Sequence, residues 1–289
     1  MDSLSKEFVT LNKLGTRDVI GLVNLSKSIG WDYDELDIKT VFSCGYVFGH
    51  KNKYGEIVSS AAIIPYESKL ASIGMVIVHK NYRNLGLGNE VTKACIDILP
   101  LNNSILLIST KEGKSMYERM GFISIDHIHK LIGKNIKIPN IQKKENLRIE
   151  PINEEDINQI IEFDKEAFGD KRTSLIKNRL NQSYKSLIIR DEQDKLRGFG
   201  LSIKGTENLI LGPIVAFDIE IAYILILELT KNYIGKVRID IPSGQNLFIE
   251  SLKELGFNEV GKPPIMILGS EEMPKRNRHL YGIAAQIFG

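Results

Sequence analysis

The chain has 289 residues, 43% of them hydrophobic and 26% charged. This length suggests about two domains, and the composition is ordinary for a soluble globular protein. The net charge of +2 argues against nucleic acid or a membrane surface as a partner, and the two cysteines, Cys44 and Cys95, supply neither a disulfide framework nor a metal-ligand spacing.

Taken in chain order, Met1–Glu7 lacks the apolar core of a signal peptide, so a cytoplasmic location is expected. Thr16 to Ile29 reads as a helix, with Val19, Leu22, Val23 and Ile29 on one face and Gly30 as its stop. Gly30-Trp31-Asp32-Tyr33-Asp34-Glu35 follows as a loop in which aromatic rings stand beside three carboxylates, a setting suited to a cationic amine. Gly45 to Lys51, Ile57 to Pro65 and Leu70 to His79 read as strands. The last ends in Val76-Ile77-Val78 and a polar turn, then Arg83-Asn84-Leu85-Gly86-Leu87-Gly88-Asn89 opens a helix carrying Val91, Ala94, Cys95, Ile98 and Leu99 on its apolar face. Glycines at a helix N-terminus let backbone N–H groups approach a phosphate, and Arg83 adds positive charge. Ile105 to Thr110 is the next strand, followed by a short helix with Tyr117 near its end and then Gly121-Phe122.

The polar stretch Gly133 to Asn146, with four lysines and Pro139, reads as a linker. We therefore expect a first domain over 1–135, a linker over 136–146 and a second domain over 147–289. The second half repeats the plan: Leu147 to Ile152, an N-cap at Asn153, a helix stopped by Gly169, and strands at Ser186 to Arg190, Leu196 to Lys204 and Glu207 to Ala216. A helix from Ile219 to Tyr233, a strand from Val237 to Ile241, a helix from Asn246 to Leu255 and Gly256-Phe257 complete it. The apolar run Ile221 to Leu227 is too short to span a bilayer. Val78 matches Val215 and Gly121 matches Gly256 at nearly the same offset. The glycine loop is lost, however: Asp218 takes the helix-capping place, where its carboxylate would repel a phosphate, and Leu252 replaces the tyrosine. Lys275, Arg276, Arg278 and His279 are too few to indicate nucleic acid, and Leu280 to Phe288 is expected to form a last strand of the second domain.

The glycine loop does not fit a P-loop, which needs a Lys-Ser or Lys-Thr after its glycines. It also does not fit a dinucleotide fingerprint, because Arg83 stands at the first glycine position and the strand Ile105 to Thr110 ends without a carboxylate. A strand ending in Val78, then Arg-x-x-Gly-x-Gly at a helix start, then the Tyr117–Gly121-Phe122 block one helix and one strand later, resembles the GNAT-type N-acetyltransferase superfamily. The second half is similar to the degenerate domain of tandem members. The resemblance implies an α/β (α+β) fold of two tandem domains, each a mixed, mostly antiparallel central sheet flanked by helices.

The resemblance also implies acetyl-CoA as co-substrate, no metal, and transfer by direct attack of a primary amine on a small-molecule acceptor. The pantetheine arm would pair with the backbone of Val76, Ile77 and Val78, and the pyrophosphate would meet Arg83, Asn84, Leu85, Gly86, Leu87, Gly88 and Asn89. Tyr117 matches the position that protonates the departing thiolate. Trp31, Asp32 and Tyr33 fall where the family builds its acceptor pocket, and Asp164, Phe168 and Arg172 fall at the equivalent place in the second half. The base is unassigned: relatives carry a glutamate near the position of Gly74, and His79 at the strand end is a weaker candidate. A catalytically weak acyl-CoA-binding sensor is the competing reading, favoured by the missing glutamate and opposed by Tyr117.

Overall fold

The structure is a computed structural model that describes residues 9–134, 136 and 146–289. The expectations for residues 1–7, for the domain boundary at Asn135 and for the linker over 137–145 lie outside the described residues.

The first half runs β1 (Val9–Leu14), α1 (Val19–Ser28), α2 (Glu35–Cys44), β2 (Tyr46–Asn52), β3 (Ile57–Pro65), β4 (Leu70–Val78), α3 (Leu87–Asp97), β5 (Ser104–Ile108), α4 (Lys114–Arg119) and β6 (Ile123–Lys134). The second half repeats this order with β7 (Leu147–Pro151), α5 (Ile157–Phe168), α6 (Thr173–Gln182), β8 (Lys185–Asp191), β9 (Leu196–Lys204), β10 (Leu209–Ala216), α7 (Ile219–Thr230), β11 (Lys236–Pro242), α8 (Asn246–Glu254) and β12 (Phe257–Gly261), and adds β13 (Pro264–Leu268) and β14 (Leu280–Gly282). Each half enters its first helix through the same turn. The Gly15 amide donates to Asp18 Oδ2 at 2.9 Å, and the Asn153 amide donates to Asp156 Oδ2 at 2.9 Å.

The strands join one sheet, mostly antiparallel, in the order β1-β2-β3-β4-β5-β13-β6-β11-β10-β9-β8-β7. β6 belongs to both halves: Ile123 to His127 pairs with β13, and Ile128 to Lys134 pairs with β11. β13, from the end of the chain, completes the sheet of the first half between β5 and β6. Such pairing joins residues far apart in sequence, and no local pattern announces it.

Apolar residues pack on both faces of this sheet. α3 and α4 cover one side of the first half with Val91, Cys95, Tyr117 and Phe122, and Cys95 is the small core residue its helical position predicts. α7 and α8 cover the same side of the second half with Leu225, Leu229, Phe248 and Leu252. The other face is shared: Met75 and Ile77 of β4 lie in one cluster with Phe168, Ile287 and Phe288. Two polar clamps lock the halves across it. Asp170, 3% exposed, accepts from the Ser68 amide (3.1 Å), the Ser68 hydroxyl (2.7 Å) and the Leu70 amide (3.1 Å), which fixes the β3–β4 turn. In return Thr206, in the β9–β10 turn, donates its hydroxyl to the Asp32 carbonyl at 3.0 Å.

Several elements depart from the sequence reading. β1, α6 and β13 are additional, β6 runs through Gly133 and Lys134 at the start of the expected linker, and α2 starts at Glu35, directly behind the expected acceptor loop. The stretch Leu280 to Phe288 is not one strand of the second half. Only Leu280–Gly282 pairs there. The chain then crosses to the first half and ends in a 3-10 turn, Gln286–Phe288, on β4. The Tyr66 hydroxyl donates to the Phe288 carbonyl at 2.5 Å and the Ser72 hydroxyl to the Ile287 carbonyl at 2.9 Å, so polar groups of the first half draw the tail across. Among the described residues, no helix is long and apolar enough to cross a membrane.

Candidate active site

β4 pairs in parallel with β5 only from Leu70 to Ile73. Beyond that point β4 bends. Met75 takes φ +51°, rare for a side-chain-bearing residue, the register against β3 shifts between Ser60 and Ala62, and the Ser60 hydroxyl holds the Met75 carbonyl at 2.8 Å. Among the described residues Val76, Ile77 and Val78 therefore have β3 on one edge and no strand on the other. Their side chains alternate half-buried and buried, so the backbone edge can take an extended ligand while the side chains pack.

The chain leaves this edge through His79, whose Nδ1 accepts from the Asn81 amide at 3.3 Å. His79 thus serves as a local cap. Asn84 (φ +64°) and Gly86 (φ +80°) then turn the chain into α3. No side chain caps α3, so its first amides, at Leu87, Gly88 and Asn89, are left over by the helix and face outward with the positive end of its dipole. Gly86 is required for its backbone conformation, since a Cβ there meets nothing, whereas Gly88 is required for space, with Met116 Sδ 3.2 Å and Val78 Cγ2 3.5 Å from the place of a Cβ. Leu87 is buried and anchors the turn, Leu85 is half-buried, and Arg83, Asn84 and Asn89 are exposed. Arg83 makes no side-chain hydrogen bond or ion pair among the described residues. The acid in this turn, Glu90, is drawn to His50 Nε2 at 3.1 Å. The corner is thus an open strand edge leading to an uncapped helix start.

Tyr117 lies in the cluster that also receives Val76 and Met116. It packs edge-on to Phe122, with ring centroids 5.8 Å apart, and is 7% exposed. Its hydroxyl has no hydrogen-bond partner among the described residues. Burial, with Cys95 nearby, pushes its pKa well above that of a free tyrosine, so the phenol keeps its proton. Tyr117, the strand edge and the glycine turn converge through the Gly88–Met116–Val78 contacts.

The corresponding corner of the second half is closed. Asp218 Oδ1 accepts from the Ile221 amide at 2.9 Å and caps α7. β10 leaves β11 after Leu211, and β14 enters the opening: Ile214 and Val215 pair with Gly282 and Leu280, and the Ile283 amide donates to the Asp240 carbonyl at 2.9 Å. The shallow groove that remains is lined by Asp191, Arg197, Phe217, Asp218, Glu220 and Ile221, a mainly acidic surface. β14 is the first part of the expected last strand, Leu280 to Phe288, and its wedge into β10 has no counterpart in the sequence reading.

On the acceptor side, Trp31 and Tyr33 stack edge to face at 6.0 Å and lean on the shared inter-half cluster. The expected trio of carboxylates does not hold together. Asp34 Oδ1 caps α2 by accepting the Asp37 amide at 2.9 Å, and exposed Glu35 pairs with Lys39 at 3.2 Å. Only Asp32 is left, with no side-chain partner among the described residues. Tyr33 is raised well above a normal tyrosine by burial and by Asp37. Asp164, Phe168 and Arg172 do not line a cleft either. Arg172 makes two hydrogen bonds to Asp164, at 2.7 and 2.9 Å, with both side chains essentially inaccessible, and its guanidinium stacks on Phe168 at 3.8 Å. Gly74, where relatives carry a glutamate, faces the tail: a Cβ there would lie 2.6 Å from Ile287 Cγ1 and 2.8 Å from its Cα. No group of three or more His, Cys, Asp or Glu among the described residues could hold a metal ion.

Comparison with known proteins agrees with this architecture. Two family models, both described as an acetyltransferase (GNAT) domain, match residues 45–133 and 160–282. The uncharacterized N-acetyltransferase YitH of Bacillus subtilis (strain 168) is 35% identical over 280 residues, which cover 96% of this chain and 98% of the relative. The crystal structure of a putative acetyltransferase from Pyrococcus horikoshii superposes with a TM-score of 0.80 at 22% identity, covering 100% of this chain and 99% of that one. A tandem GNAT protein from the clavulanic acid biosynthesis pathway superposes with a TM-score of 0.67 at 13% identity, covering 90% and 98%. Likeness at these low identities establishes the fold.

Proposed function

The chain belongs to the GNAT acetyltransferase family and is an acyltransferase, and on that premise we propose that its first half transfers an acetyl group from acetyl-CoA to a primary amine of a small-molecule acceptor. The observation that carries this reading is the unpaired edge of β4 leading into the uncapped start of α3, with Tyr117 beside it. In this reading residues up to 135, completed by β13 and by the tail on β4, form the working half, and the rest of 147–289 forms a partner half that holds no co-substrate.

Acetyl-CoA, when bound, supplies a thioester carbonyl activated toward amines. The chain's residues do the rest. Val76 to Val78 offer backbone groups that align the pantetheine arm, and the amides of Leu87 to Asn89 receive the pyrophosphate with Arg83 adding charge. Tyr117, held protonated by burial, donates to the leaving thiolate. Trp31, Asp32 and Tyr33 border the amine's approach. With Gly74 covered by the tail, no carboxylate projects from β4, and the amine loses its proton to water or arrives neutral.

The test is release of free thiol from acetyl-CoA in the presence of a panel of primary amines, with mass spectrometry of the products. The expected result is thiol release coupled to an N-acetylated product. Thiol release that no amine accelerates would contradict the proposal.

A further inference from the structure

The inner face of β6 and β11 carries charge that the transfer chemistry does not use. Lys130 stands directly opposite Asp240 in the antiparallel register, and Arg238 lies on the same face two residues along β11. Ile128, on this face of β6, is fully buried in the inter-half cluster, whereas Ile239 and Ile241 point to the opposite side, under α7 and α8. Lys130, Arg238 and Asp240 therefore lie on the inter-half side of the sheet. The loop with Trp31 and Tyr33 packs on the same side, and Asp32, Arg238 and Asp240 act electrostatically on both Lys130 and Tyr33.

Most of these charges are matched. Arg238 grips Asp240 at 2.6 and 3.3 Å, and Gln286 Nε2 donates to Asp240 Oδ1 at 3.4 Å. Arg179 pairs with Asp37 at 3.5 Å, and Asp34 caps α2. Lys130 is half-buried and has no hydrogen bond or ion pair among the described residues. Burial and the adjacent Arg238 push its pKa below the ordinary lysine range. Asp240 and Asp32 attract this ammonium but neither bonds to it, and a bound carboxylate would give it a direct partner. Asp32 breaks the symmetry of the clamps in the same way. Its counterpart Asp170 gives its carboxylate to the β3–β4 turn, while Asp32 is held by its carbonyl, and its carboxylate has no bonded partner among the described residues.

This face connects to the open strand edge. Gln286 rests on Asp240, and the next residue, Ile287, rests on Gly74, immediately before the bend at Met75. We propose that Lys130 and Arg238 receive the carboxylate of the acceptor, so that this enzyme acetylates amines that also carry a carboxylate, such as amino acids. With the carboxylates of Asp32 and Asp240 already near it, the unbonded Lys130 suits a singly charged carboxylate better than a phosphate dianion. This inference rests on the reading that the first half transfers acetyl groups to amines.

The experiment compares matched acceptors on the full chain: L-amino acids, β-alanine and 4-aminobutyrate, each against its carboxamide, with phosphoethanolamine as the phosphate probe. The expected result is a kcat/KM preference of about tenfold or more for the acid over the amide in at least one pair. Lys130→Met should bring that ratio near one, and Lys130→Arg should keep most of it. Equal use of acids and amides, a preference that survives Lys130→Met, or a preference for phosphoethanolamine would overturn the proposal. Thermal stabilisation by the same probes gives a readout without turnover. A carboxylate-selective shift in the wild type that Lys130→Met abolishes supports the site even if no probe is acetylated, and absence of any such shift overturns it. Acetylation of amides and acids alike would contradict this inference while leaving the transferase reading intact.

Discussion

In the first half, β4 parts from β5 after Ile73, and among the described residues no strand enters the gap. In the second, β10 parts from β11 after Leu211, and β14 of the same chain fills the gap. At the helix start beyond each gap, the first half has Gly86 in a left-handed conformation with no side-chain cap, and the second has Asp218 bonded to the Ile221 amide. The two corners share one geometry, a strand edge and a helix dipole. One leaves them unmatched among the described residues, and the other satisfies them internally. The difference teaches that a duplicated binding corner needs only a strand and one carboxylate to become a structural joint, because both supply the groups that the ligand would.

The largest expected effect falls on the side chain that only the first half has. Tyr117→Phe should lower turnover by about 100-fold or more while acetyl-CoA still binds. The matching Leu252 position in the second half is core, and its replacement by Met should leave turnover within about twofold. Turnover insensitive to Tyr117→Phe would remove the tyrosine from the chemistry.

The comparison sharpens if the first corner is made like the second. Asp and Asn both tolerate a left-handed backbone, so Gly86→Asp and Gly86→Asn differ mainly in charge. Gly86→Asp should weaken acetyl-CoA affinity about tenfold to 100-fold beyond Gly86→Asn, because the added carboxylate faces the site of the pyrophosphate. Equal affinities by calorimetry would place the phosphates elsewhere. In the second corner, Asp218→Ala should cost about 1 kcal/mol of stability in denaturant unfolding, as for other lost helix caps, and leave acetyl-CoA affinity unchanged.

The smallest effect concerns pH. Tyr117 is the active donor when protonated, and burial raises its pKa, so the proton is retained as pH rises through the range where a free tyrosine ionises. The alkaline limb of kcat should therefore show no loss with a pKa near 10. A fall there that Tyr117→Phe abolishes would mean that the phenol is not shielded.

The geometry of the proposed working corner was legible in the sequence because it is local. Val76 to Asn89 is one continuous stretch whose glycine spacing determines its geometry, and Tyr117 follows at a fixed distance. The tandem plan was legible because each half repeats that order. α2 and α6 carry signals of their own in the sequence: Asp34 and Asp37 at capping distance, and Leu175, Ile176 and Arg179 at helical spacing. β14 and the tail were not legible as they stand. An apolar run such as Leu280 to Phe288 fits a strand, and only contacts with β10, Ser72 and Gly74, far away in sequence, divide it into a wedge and a strap. The same holds for Lys130, Arg238 and Asp240, which meet only because β6 pairs with β11.

The central claim is that one corner binds and the other is closed. Calorimetric titration of the purified chain with acetyl-CoA tests it most directly. The account predicts one site per chain, lost or severely weakened in Gly86→Asp and untouched in Asp218→Ala. Two sites per chain, or one site that survives Gly86→Asp and disappears in Asp218→Ala, would contradict it.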